Sequence, residues 1–444
     1  MYATEAFGQF YSTVQSAPLP PEPIHHAKRA LVDWHASVYP GIHHEAVAIL
    51  ERVLEEELTS GRARLASGRP ATARAAALIN GAAAHAAEID DSFKDAMYHP
   101  GAPTIAAAIA AAQDVGASGE TLLKGIVVGY EISTRIGVAL GRGHYKYWHN
   151  TATVGVFGAA AASAFIYGAT ASQLAHALAT AATFSAGLQQ AFRMDSMSKP
   201  LHVGRAAEGG LLAAKSAVAG ATGSLDVLDG AAGFGKAMSD NADWSAVAAT
   251  LGSDFHICRM TFKNHIGCGH TFAAIDGALA LKASAGIETR KIKHIHVATY
   301  RPALDIACNP DPKTENEAKF SLKYIVATAL AFGSVRLAAY QPDRLTDEET
   351  RRLMACMTVE VDPEIDAAFP GKRAAIIRIE TVDGQVVEQF QPNRKGDPED
   401  PLTDKDLDAK LLELASPVLG RSAAERLAAR LWRVDRDLTV DFSS

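Results

Sequence analysis

Apolar residues recur at helical spacing through most of the chain. Ile24 to Val38 carries them three and four apart, and Val47 to Leu58 does the same with Glu51, Glu55 and Glu56 on its polar side. Pro18, Pro20, Pro21 and Pro23 make a stiff entry to the first of these helices. Ala71 to Ala87 and Ile105 to Ala112 are Ala-rich with few charges, so both are predicted helical. Pro100, Gly101 and Pro103 force a turn between them. From Thr151 to Phe192 there is no Asp, Glu, Lys or Arg. Gly168 to Ser172 divides this run with a terminating glycine and fresh N-cap residues, leaving halves shorter than the ~20 residues a membrane span needs. The run therefore predicts two helices buried in a large helical core.

Beyond about residue 285 the period changes from helical to alternating. Ile295, Val297 and Thr299 alternate with His294 and His296 in a strand over Ile292 to Tyr300, and Met357, Val359 and Val361 alternate likewise. Ile376 to Val382, Asp383-Gly384 and Gln385 to Phe390 read as a β-hairpin whose Asp-Gly pair suits a type I′ turn. Leu322 to Leu337 and Asp347 to Ala355 are predicted helical. A polar linker, Gln391 to Pro401, leads to two closing helices, Asp404 to Leu414 and Ala423 to Trp432. The expected architecture is mainly α: a large all-α helical domain over 1–265 and 401–444, and a smaller α+β lid domain over 266–400.

Composition narrows the function classes. Over 444 residues, 43 Lys and Arg face 50 Asp and Glu, a net charge of −7 with no dense basic block, which argues against nucleic acid as partner. Cys258, Cys268, Cys308 and Cys356 show neither metal-ligand spacing nor a disulfide framework. The N-terminus lacks a basic stretch followed by an apolar one, so the expectation is a soluble cytoplasmic protein without a membrane span.

Four stretches concentrate chemistry. Glu88 to Pro103 places Asp90, Asp91, Ser92 and His99 at the break between two apolar helices, a setting suited to proton transfer. Gly141 to Asn150 brings Tyr145, Lys146 and His149 between aromatics, and a lysine beside a tyrosine can lower its pKa; the alternative is an interfacial aromatic loop. In Ser196 to Arg205, Lys199, His202 and Arg205 recur every three residues and share a helix face, a carboxylate site at a helix start with Ser198 as N-cap and Pro200 in the first position. Thr261 to Asp276 clusters Lys263, His265, Cys268 and His270 around two glycines. No further ligand completes a tetrahedral set there, so no metal is expected.

Taken together, these stretches resemble the MmgE/PrpD superfamily, which includes 2-methylcitrate dehydratase and cis-aconitate decarboxylase. The resemblance rests on Glu88-Ile-Asp-Asp-Ser92 with His99-Pro100, His149-Asn-Thr151 with Gly155-Val-Phe-Gly158, Ser198-Lys-Pro-Leu-His-Val-Gly204, Cys268 to Asp276, and Glu317 to Tyr324. It implies a homodimer, a site between the two domains and no required cofactor. The family pattern has Asp at the position of Glu88, Thr at Ser92 and His at Phe272, while Lys199 and His99 match its lysine and histidine. Losing one imidazole disfavours elimination but leaves proton abstraction beside a carboxylate intact. The expectation is therefore an epimerase of a polycarboxylate such as iminodisuccinate, an activity known in this superfamily. Its catalytic residues would be Lys199 (its pKa lowered by Arg205 and burial), His99 held by Asp91, Tyr145 and Lys146. Asp90, Ser92, His149, His202, Arg205, Lys263, Cys268 and His270 would bind substrate. The alternatives are a lyase of the same superfamily, and an epimerase using the thiols of Cys268 and Cys308.

Overall fold

Long alanine-rich stretches without β-branched runs make helices of the first half of the chain. The computed structural model describes residues 2–192, 196–369 and 371–442. Eight principal helices come first: α1 (Ala3–Ser16), α2 (Pro21–Gly41), α3 (Ala73–Ala86), α4 (Gly101–Val115), α5 (Gly119–Tyr145), α6 (Gly155–Ile166), α7 (Ala171–Phe184) and α8 (Ser198–Val218). A four-stranded sheet and further helices follow. They are α9 (Phe272–Ala285), β1 (Ile292–Thr299), α10 (Leu322–Phe332), α11 (Glu348–Ala355), β2 (Met357–Val361), β3 (Ala375–Thr381) and β4 (Val386–Gln391). The chain ends on α12 (Asp404–Leu419) and α13 (Arg421–Leu431). It divides into two compact units, residues 1–262 with 403–444, and residues 263–402.

In the first unit, α3 and α8 pack closely. An ideal Cβ on Gly204 of α8 would lie 2.3 Å from the Leu78 carbonyl oxygen of α3. Only glycine permits that approach, and it brings the start of α8 against the end of α3. Thr72 caps α3, its hydroxyl accepting from the Ala75 N–H at 3.2 Å. The charge-free run becomes α6 and α7, separated at Gly168, with α6 buried throughout. No helix among the described residues is long and apolar enough to cross a membrane.

The second helix differs from its amphipathic expectation. From Arg29 to Tyr39 every residue of α2 is buried, because α3, α5 and α12 all pack against it. Among its buried residues, His35 donates from Nδ1 to the Leu31 carbonyl at 2.8 Å, and burial pushes its pKa down to about 4. The folded state excludes the proton that the unfolded chain takes up below its ordinary value of about 6.5. Stability contributed by neutral His35 is thus present above pH 6.5 and is lost as pH falls toward 4, by up to about 3 kcal/mol. Denaturant melts of His35→Leu against the wild type should show a shallower loss between these limits. Parallel slopes would refute this.

In the second unit the strand order is β2-β1-β3-β4, with β1 parallel to β2 and antiparallel to β3. The hairpin forms, but its turn is not type I′. Gly384 has φ +84°, whereas Asp383 does not enter the left-handed region. Gly384 N–H donates to the Thr381 carbonyl at 3.0 Å, giving a turn followed by a left-handed glycine. The Asp383 carboxylate instead accepts from the Thr381 hydroxyl, which fixes the alternative turn. Two other boundaries move. α10 stops at Phe332 because Gly333 caps it with φ +78°. α8 begins at Ser198 with Met197 as cap, putting Pro200 in the third position, where its missing N–H still leaves no intrahelical bond unmade.

Candidate active site

The first unit gathers a histidine cluster at the end of α3. His85 lies in the last turn of that helix, and Glu88 follows with φ +59°, in the left-handed region. That conformation is tolerated best by Asn and Asp after glycine, so a glutamate there is strained. The Lys199 ammonium at the start of α8 pairs with its carboxylate and holds it.

Asp90 and Asp91 then diverge. The Asp90 carboxylate accepts from His85 Nδ1 at 2.7 Å and lies 3.6 Å from His99 Nδ1. Asp91 turns inward: its Oδ1 accepts from the Gly101 N–H at 2.9 Å, capping α4, and its Oδ2 accepts from the Tyr130 hydroxyl at 2.7 Å. Burial, and then Asp33, pushes the Asp91 carboxyl up to about 8. His99 is held as expected by residue 91, but through the Asp91 backbone carbonyl, which its Nδ1 reaches at 2.6 Å. The Asp90 carboxylate thus faces the imidazoles, whereas the Asp91 carboxylate is a buried cap.

Two more imidazoles join them. The ring of His85 lies 5.1 Å from that of His99 and 5.6 Å from that of His149. His149 Nδ1 meets His202 Nδ1 at 3.3 Å. Burial, then His85, Lys199, His202 and His99, hold the His149 pKa well below its ordinary value, so it is neutral at pH 7. Burial and then His85 lower His202 in the same direction. His85 Nε2 is buried without a hydrogen-bond partner among the described residues. An orphaned ring nitrogen amid three other imidazoles is a place for a polar atom of a ligand.

The expected residues thus separate. Asp90, His99, His149, Lys199 and His202 come together. Tyr145 and Lys146 do not join them; both are exposed at the end of α5, with Lys146 over the Tyr147 ring at 4.8 Å. Their stretch divides: Tyr145, Lys146 and Tyr147 are exposed, whereas His149 is buried in the cluster. Arg205 shares the α8 face but is half exposed and bound to Glu208, which also holds Arg74. Ser92 is partly buried and paired through its backbone with Thr261. His85 and Glu88 were missed as site residues, although His85 is one of few polar residues on an alanine helix.

Lys263, Cys268 and His270 belong to the second unit. Cys268 is buried there and burial raises its thiol, while Cys308 is exposed, so neither is an activated thiolate pair. His270 Nδ1 lies 3.0 Å from the Tyr300 hydroxyl, and burial, Arg373 and Arg394 push its pKa down to about 4. Phe272 is buried, its ring edge-on to His265, and His265 Nε2 bonds Asp276 at 2.8 Å. The position that carries His in the family pattern is thus apolar core in this chain.

A model of the MmgE/PrpD N-terminal domain matches residues 5–247, and one of the MmgE/PrpD C-terminal domain matches 265–435. The chain belongs to the MmgE/PrpD family. This MmgE/PrpD protein is 27% identical to cis-aconitate decarboxylase of Mus musculus over 372 residues, covering 79% of this chain and 74% of the relative. It is 28% identical to the Homo sapiens enzyme of the same name over 370 residues, with the same shares covered. It is also 29% identical over 384 residues to the cis-aconitate decarboxylase-like protein oryM of Aspergillus oryzae, covering 80% and 78%.

Proposed function

We propose that this protein is a cofactor-independent lyase that removes carbon dioxide from an unsaturated polycarboxylate of the cis-aconitate kind. The observation that carries the reading is the cluster of His85, His99, His149 and His202, with Asp90 against His85 and His99 and Lys199 at its edge. Phe272 removes one imidazole from the family pattern, but four others stand together, so the loss no longer argues for an epimerase. Epimerisation asks for proton-handling groups on opposite faces of a carbon, whereas these groups form one cluster. The names of the relatives point the same way.

In this reading Lys199 binds a substrate carboxylate. The bond from carbon to the departing carboxylate breaks, and its electron pair passes into the conjugated carboxylate that stays. The Lys199 ammonium bears the charge that develops there. His99, oriented through Nδ1 by the Asp91 carbonyl, delivers a proton from Nε2 to carbon and regains one from water. His149, neutral at pH 7, presents one N–H donor and one acceptor nitrogen to the substrate and to His202 and does not serve as the acid.

The test is proton NMR in D₂O with cis-aconitate, 2-methylcitrate and iminodisuccinate, together with measurement of carbon dioxide. The expected result is carbon dioxide from cis-aconitate with one deuterium in each product molecule. Inversion of iminodisuccinate with deuterium at Cα and no carbon dioxide would establish the epimerase instead. An alkene from 2-methylcitrate would establish a dehydratase.

A further inference from the structure

Outside the histidine cluster, one group of donor atoms in the first unit is left unengaged by the fold. Glu22 and His26 stand four residues apart in the first two turns of α2 and so share a helix face. Cys258 lies in the single helical turn His256–Arg259. One carboxylate oxygen of Glu22, one ring nitrogen of His26 and the Cys258 sulfur all lie within 4.8 Å of one another.

The neighbours of these three are committed elsewhere. His25 pairs with Asp404 at 3.1 Å and stacks on Trp432, and Arg29 pairs with Asp404. His256 bonds the Thr134 hydroxyl at 3.0 Å, and Arg259 pairs with Asp254 at 3.2 Å. In contrast, among the described residues His26 Nδ1 is buried with no hydrogen-bond partner, and neither the Glu22 carboxylate nor the Cys258 thiol has an ion pair or hydrogen bond, Cys258 bonding only through its backbone N–H to the Phe255 carbonyl. A buried ring nitrogen without a partner is destabilising unless something satisfies it. Water could do so for one atom, but the convergence of a nitrogen, a sulfur and a carboxylate has a more specific chemistry.

We propose that Glu22, His26 and Cys258 bind one divalent transition metal ion, zinc by their donor chemistry, with solvent in the fourth position. Thiolate, imidazole and carboxylate together suit zinc, whereas magnesium and calcium require oxygen ligands. Donors around tetrahedral zinc sit roughly 3.5 Å apart, within reach of small side-chain rotations from the present spacing. The thiolate and the carboxylate balance the two charges of the ion, and the Cys258 proton leaves to solvent on binding. The ion joins the start of α2 to the segment before residue 262, two parts of the first unit far apart in sequence.

Cobalt(II) reports the site directly, because a thiolate ligand gives it a charge-transfer absorption. The chelator-stripped full-length protein should take up one equivalent of cobalt with that absorption. Zinc should displace the cobalt and raise the melting temperature. Cys308→Ser should retain the band and Cys258→Ser should lose it, with unchanged near-ultraviolet circular dichroism in chelator. Glu22 is exposed, so Glu22→Gln keeps the test open if Cys258→Ser fails to fold; it should weaken zinc by about tenfold or more. No thiolate band in the wild type, or a band that survives in Cys258→Ser, would overturn the proposal, as would wild-type zinc affinity in Glu22→Gln.

Discussion

Replacing Lys199 by methionine is expected to lower kcat/KM for the true substrate by about 10³-fold, with the melting temperature close to that of the wild type. Lys199 sits in the first turn of α8, partly exposed, and its ammonium pairs with Glu88. Its charge is felt at His149, where it is among the influences that keep that imidazole neutral. A preorganised cation that meets charge developing in the transition state contributes about 10²–10³ in rate. It also binds a ground-state carboxylate, which puts the expectation at the upper end. Lys199→Arg should recover substrate binding better than turnover, because a guanidinium keeps the charge but not the compact point-charge geometry of an ammonium. The measurement is steady-state kinetics of both variants beside thermal melts. Unchanged kcat/KM in Lys199→Met would remove the residue from the proposed site. A collapse of the melting temperature would instead make its pair with Glu88 structural.

The second large effect is on stability. Lys410 of α12 is completely buried, and its ammonium pairs with Asp33 of α2 at 2.6 Å while donating to the Ile89 carbonyl at 2.8 Å. Removing one partner of such a pair leaves a buried charge uncompensated, which costs about 3–5 kcal/mol. Lys410→Met should therefore destabilise the protein by that amount, measured by denaturant unfolding. Adding Asp33→Asn should recover much of the loss, since the stranded carboxylate causes it. Ile89 immediately precedes Asp90, so the same lysine also positions the carboxylate that orients His85. Activity of the single variant should fall further than its folded fraction accounts for. A loss below 1 kcal/mol would mean that Asp33 finds another way to be neutralised.

The site was partly legible in the chain. Asp90, His99, His149 and Lys199 each stand at a helix break or first turn, with His202 just beyond, where an apolar pattern is interrupted by ionisable residues. Tyr145 and Lys146 occupy a similar break, yet they face solvent, because a polar stretch between apolar helices looks the same whether it lines a pocket or covers the surface. The adjacent pair Asp90-Asp91 could not be resolved into a site carboxylate and a buried cap. That distinction depends on Tyr130 and the Gly101 N–H, which accept no role until α4 and α5 are packed.

What the sequence by itself determined is the set of elements whose signals are local. These are the alanine-rich helices, the glycine between α6 and α7, the alternating strands of the second unit and the hairpin position. Each depends on periodicity and turn chemistry within a few residues. Only the tertiary structure decided the pairs that join distant positions. Lys199 meets Glu88 across 111 residues, His149 meets His202 across 53, and Lys410 meets Asp33 across 377. The energy of such a contact arises from desolvation and geometry that exist only once helices pack. No local pattern along the chain encodes which charge will find which partner.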